Sequence, residues 1–118
     1  MKKDLDGIYS NISAMIIKAM DDHWSEAVLE VELHALAIKL SGGYLHGLSN
    51  EPLSFKFLKD DKKTLINLLI ELHLQTDQDD KNRWNTMSFH LHTDGRYKVD
   101  FVWDQILADN IEKVRAAS

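Results

Sequence analysis

Between residues 4 and 20, Leu5, Ile8, Tyr9, Ile12, Met15, Ile16 and Ala19 recur at steps of three and four. That spacing stacks them on one face of an amphipathic helix. Asp4 or Asp6 caps its start and suits the positive end of the helix dipole. Gly7 costs helicity and favours a later start. Asp21-Asp22-His23 breaks the pattern. The period then drops to two. In Ala27 to His34, Leu29, Val31 and Leu33 face one way, and Glu30, Glu32 and His34 the other. One greasy and one polar side predicts a half-buried strand. Leu36, Ile38 and Leu40 continue as a second alternating run, reached by a bulge or tight bend near Ala35.

Ser41-Gly42-Gly43 reads as punctuation, Tyr44 to His46 as a short strand, and Asn50-Glu51-Pro52 as a loop. Ser54-Phe55-Lys56-Phe57 alternates again. A second helix follows over roughly 61–75, with Leu65, Leu68, Leu69 and Leu72 inward. Ile66 and Ile70 widen that stripe and predict a well-covered helix. Thr76 to Asn82 is a polar loop carrying Asp77, Asp79 and Asp80.

The clearest pattern comes next. After Trp84, Met87, Phe89 and Leu91 alternate with Ser88, His90 and His92; Tyr97, Val99, Phe101 and Trp103 return beyond Thr93-Asp94-Gly95. A two-residue Asp94-Gly95 loop would pair Leu91 with Lys98 and mix the faces. A three-residue loop pairs Leu91 with Tyr97, Phe89 with Val99 and Met87 with Phe101, and sets His90 opposite Lys98. The prediction is therefore a type I turn with Gly95 left-handed in a bulge. Ile106, Leu107, Ile111 and Val114 predict a short terminal helix. Together these elements predict an α+β fold: a two-layer sandwich with an antiparallel sheet packed against the N-terminal and central helices.

At 118 residues the chain suits a single domain, residues 1–118, with one real core. There is no cysteine, which removes disulfides, thiolate metal sites and cysteine nucleophiles and suits a reducing, cytoplasmic setting. No signal peptide or membrane-spanning run is legible. The formal charge of −5, from 19 acidic and 14 basic residues, argues against direct nucleic-acid binding and suits a cationic partner.

Candidate chemistry is sparse. His90 and His92 project from one strand face and, with His34, invite a zinc site. No third-ligand spacing supports it, and Lys98 opposite His90 disfavours a cation, so solvated histidines are the plainer account. Glu30 and Glu32 share a face at roughly 6–7 Å, a spacing a glycosidase pair also has. A flat strand face offers no cleft for such chemistry. Neither a phosphate-binding glycine loop nor a nucleophile elbow is present. The tryptophans fall on inward positions or element ends and read as core. A non-enzymatic protein binder without cofactors is the expectation. A small metal-dependent enzyme using surface histidines, and an adaptor or chaperone for some other protein, are the alternatives.

The stretch from Arg83 to Asp104 resembles the C-terminal signature of the YezG-like immunity proteins. There a tryptophan precedes an alternating strand, an Asp-Gly turn, and a return strand ending in Asp-aromatic with a further acid; here these are Trp84, Asp94, Gly95, Asp100, Phe101, Trp103 and Asp104. The opening helix and Trp24 ahead of the first strand agree. Ala35-Leu36-Ala37-Ile38 departs from the more aromatic second strand of the pattern. The resemblance implies an antitoxin that binds a cognate toxin domain, basic and often a nuclease, in the cytoplasm. The protein would act as a monomer or weak dimer, away from membranes. Glu30, Glu32, Asp77, Asp79 and Asp80 are the candidate toxin contacts, with His90 and His92 as further members.

Overall fold

A computed structural model describes residues 5–20, 23–34, 37–49, 51–76 and 83–117. The order is α1 (Leu5–Ala19), β1 (Trp24–Leu33), β2 (Ile38–His46), β3 (Pro52–Phe55), α2 (Lys59–Thr76), β4 (Thr86–His92), β5 (Tyr97–Val102) and α3 (Gln105–Ala117). The strands form one antiparallel sheet in the order β3-β2-β1-β4-β5. This is the α+β architecture that the periodicities predict.

The inward side chains of β1 and β4 meet the buried stripes of both long helices in one core. Ile8, Ile12 and Ile16 of α1, with Leu65, Leu68, Leu69 and Leu72 of α2, pack over Ala27, Leu29, Val31, Met87, Phe89 and Leu91. Tyr9 reaches across to the hairpin, its ring centroid 6.2 Å from Phe89 and 5.6 Å from Tyr97. Burial there, with Tyr97 and Asp6 adding to it, raises the pKa of the Tyr9 phenol. Lys18 Nζ and Asp61 Oδ2, 3.0 Å apart, tie the two helices at the surface.

The final hairpin forms in the expected register. Leu91 pairs with Tyr97, Phe89 with Val99, Met87 with Phe101 and His90 with Lys98. Gly95 N donates to His92 O at 3.0 Å and His92 N to Arg96 O at 2.9 Å, which closes a three-residue loop. Gly95 has φ +91, the left-handed conformation that a side chain resists. Met87, Phe89 and Leu91 are fully buried, while Tyr97 keeps 38% of its surface because β5 is the sheet edge.

The residues of the hairpin signature hold this corner together. Trp84 is buried; its Nε1 donates to Thr76 Oγ1 at 2.7 Å, and its carbonyl accepts from His73 Nε2 at 3.2 Å. Asn85, buried and polar, clamps Asp104 from both sides: Nδ2 donates to its carbonyl at 2.9 Å, and Oδ1 accepts from its amide at 2.7 Å. Asp104 then caps α3, its Oδ1 accepting from Leu107 N at 3.0 Å.

Several local expectations are corrected. Ser41-Gly42-Gly43 is no break, because β2 runs through it from Ile38 to His46. Gly42 lies on the inner face, where a Cβ would stand 2.5 Å from the Phe55 ring; the glycine makes room for that ring. Pro52 opens β3, where an edge strand tolerates its missing N–H, and β3 ends at Phe55 instead of reaching Phe57. Gly7 sits inside α1, which already begins at Leu5. Ile70 is 47% exposed, since it is rotated away from the stripe of Leu65, Leu69 and Leu72 that meets the sheet. Trp103 follows β5 rather than belonging to it and is 37% exposed, with the Arg83 guanidinium 4.2 Å over its ring. Ile106 in the first turn of α3 faces water. Where β1 gives way to β2, His34 N donates to Ala37 O at 2.9 Å; Ala35 and Leu36, where the sequence predicts the bulge or bend, lie outside the described residues.

Candidate partner-binding face

Both long helices pack on the inner side of the sheet, and its other face presents the alternate residues of each strand. Register places them in rows. One row runs Lys39, Glu32, Thr86, Val102; the next runs Ser41, Glu30, Ser88, Asp100. A third runs Ser54, Gly43, Val28, His90, Lys98, and a fourth brings Leu45 and Glu26 beside His92. Four carboxylates (Glu26, Glu30, Glu32 and Asp100) stand there against two lysines (Lys39 and Lys98).

The carboxylates are not equivalent. Glu32 is engaged by His34 Nε2 at 3.2 Å and by Lys39 Nζ at 3.9 Å. Glu26 meets His92 Nδ1 at 3.6 Å, and Asp100 meets Lys98 Nζ at 3.9 Å. Glu30 is exposed between Ser41 and Ser88, and among the described residues it has no ion pair. Its charge is the one at the centre of the face that is left open to a cation.

Beside it the face is hollow. An open depression of about 300 Å³ is floored at Gly43, walled by Val28, Leu45 and Pro52, and flanked by Glu26 and His90. Apolar atoms dominate its lining, and Glu26, whose carboxylate also meets His92, is the acidic residue of that lining.

Of the residues singled out from sequence, Glu30, Glu32, His90 and His92 share this face. Asp77, Asp79 and Asp80 fall outside the described residues. His90 and His92 are neighbours along β4, but each looks across to a different partner, Lys98 and Glu26 respectively. Among the described residues, no group of three or more histidines and acidic side chains is gathered as metal ligands would be. Glu26 escaped the sequence reading because the alternation was counted from Ala27; the same parity, carried one step back, finds it. Gly43 escaped because a Gly-Gly pair reads as a turn.

The family model for YezG-like immunity proteins matches residues 44–117, from within β2 to the end of α3. The chain belongs to the YezG-like family. No curated protein matches it. The matched segment contains the hairpin signature, so in this YezG-like chain Trp84, Gly95 and Asp104 act as core, turn and cap. The β1 carboxylates lie upstream of the matched segment. The match makes the chain an immunity protein, a description that implies a toxin as partner. No described helix is long and apolar enough to cross a membrane.

Proposed function

We propose that this YezG-like protein is a cytoplasmic antitoxin that seizes a basic, nuclease-type toxin domain on the outer face of its sheet. The observation that carries the reading is the row of β1 carboxylates on the outer face, with Glu30 exposed and, among the described residues, without an ion pair, on an immunity-family scaffold. Enzymes that cleave nucleic acid gather cations where they hold phosphates, and an acidic face meets that charge. Glu26, Glu30 and Glu32, with His90 and His92, form the contact set, and Asp77, Asp79 and Asp80 extend it. The chain acts alone or as a weak dimer, without a cofactor and without touching nucleic acid itself. The interface buries on the order of 1,200–2,000 Å².

The test takes the C-terminal domain encoded by the neighbouring reading frame, and measures calorimetric binding and rescue of growth when that domain is expressed inside cells. A 1:1 complex whose association slows with added salt is expected. Failure of the chain to bind or protect overturns the reading. Unchanged affinity and protection in a triple variant, Asp77→Lys, Asp79→Lys and Asp80→Lys, removes the 77–80 stretch from the contact set.

A further inference from the structure

Resting on the antitoxin reading, we propose that the hollow over Gly43 is the socket for one lysine or arginine side chain of the partner. Two adjacent glycines make the case. Gly42 is demanded by the fold, since a Cβ there would run into the Phe55 ring at 2.5 Å. Gly43 is not. A Cβ at Gly43 would meet only Leu53 O at 3.6 Å, an ordinary contact, and its φ is not in the left-handed region. Glycine in the middle of a strand weakens it, because the chain loses more freedom on folding and gains no cross-strand side-chain contact. The fold therefore carries a weakening residue that its packing does not need. What Gly43 does supply is the floor of the depression.

The chemistry of the lining selects the occupant. Val28, Leu45 and Pro52 offer an apolar wall, and Glu26 brings an acidic side chain to the lining. A side chain with a methylene stem and a cationic head satisfies both, burying the stem while its head stays at the wet edge. Glu30, two strand positions beyond Val28 on β1 and without an ion pair among the described residues, adds to the field. An acidic occupant would be repelled by both charges, and a purely apolar one would leave the Glu26 carboxylate facing it. A depression of about 300 Å³ is roomy for one side chain and its water. Displacing water from apolar walls favours entry.

The experiment uses n-butylguanidinium as the probe, followed by amide chemical shifts of isotopically labelled full-length protein. Shifts that saturate at millimolar probe and centre on Val28, Gly43, Leu45 and His90 are expected. They should vanish in Gly43→Val and weaken severalfold in Glu26→Gln. Gly43→Ala, with a smaller side chain, gives an intermediate loss and serves if the valine variant folds poorly. Shifts centred elsewhere, or persisting in Gly43→Val, overturn the socket. Equal shifts with uncharged benzyl alcohol overturn the cationic occupant and replace it with an aromatic one. With the toxin domain, Gly43→Val should lose at least about tenfold in affinity while melting no lower than the parent. Equal toxin binding by parent and Gly43→Val sinks the socket and leaves the antitoxin reading intact. Probe binding without toxin binding sinks the antitoxin reading and the toxin as occupant, leaving only a cation site.

Discussion

The inner and outer faces of the sheet are built from the same strands, one residue out of phase, and they obey different rules. On the inner face every position is spoken for. Phe89 stacks on Tyr97 at 5.3 Å, Phe55 presses against Gly42, and Leu29 and Val31 have almost no exposed surface. On the outer face, most cross-strand neighbours are polar or charged, with Val28, Leu45 and Val102 among them; one carboxylate is unpaired among the described residues, and one position is empty. Packing density makes the inner side intolerant of a single methyl group. The outer side carries little of the stability and is free to be shaped by what it binds. Gly42 and Gly43 compress the contrast into two consecutive residues.

The largest break of that contrast should come from β4. Phe89→Ala deletes a fully buried ring and should cost about 3–5 kcal/mol, whereas Ser88→Ala, one residue away on the outer face, should stay within about 0.5 kcal/mol. Urea unfolding of both variants checks the pair; comparable losses would mean that the outer face is also structural.

A smaller effect should separate the glycines. Gly42→Ala forces the Phe55 ring to move and should cost about 1–3 kcal/mol. Gly43→Ala should be neutral or slightly stabilising, because it adds a side chain where nothing resists it. Thermal melts of the two variants, run side by side, give the sign.

Within the outer face, Glu30 and Glu32 should differ. Glu30→Lys reverses an open charge and should slow association with a basic toxin domain about three- to tenfold at low salt. Glu32→Lys reverses one already answered by His34 and Lys39 and should do less. Stopped-flow association at two salt concentrations distinguishes them, and equal effects would argue that only net charge counts.

The smallest effect belongs to the hairpin tip. Asp94 is held below the usual carboxylate range, first because its Oδ1 accepts the Arg96 backbone N–H at 2.9 Å, with the Arg96 guanidinium adding to it. A folded value below the unfolded one means that the turn is favoured above the ordinary carboxylate pKa. That favour is lost as pH falls through the folded value, from about pH 4 downward. Side-chain titration by nuclear magnetic resonance should place Asp94 below the ordinary aspartate value, and Asp94→Asn should leave the opening of the turn independent of acid.

How much of this was legible beforehand follows from how local each signal is. The pairing of the 86–102 hairpin could be read in advance because alternation, a three-residue loop and one left-handed glycine all lie within a short stretch, and the three-residue loop puts Tyr97, Val99 and Phe101 on the same side as Met87, Phe89 and Leu91. The α2 stripe was legible for Leu65 to Leu72, while the exposure of Ile70 depended on which side the sheet happened to cover. Part of the candidate face was visible as parity, in Glu30, Glu32, His90 and His92. The hollow was not, because its walls come from β1, β2 and β3 and its rim also takes in β4.

Sequence alone determined the periods, and through them which side chain faces which way on each strand and helix, because side-chain direction is a local property of backbone geometry. It also carried the charge balance and the kinship of the final hairpin. Tertiary structure decided what lies next to what: that β2 runs on through two glycines, that a ring needs one of them, and that the other is left open beside a carboxylate. Those are statements about neighbours distant in the chain. A gap has no meaning until the residues around it are in place.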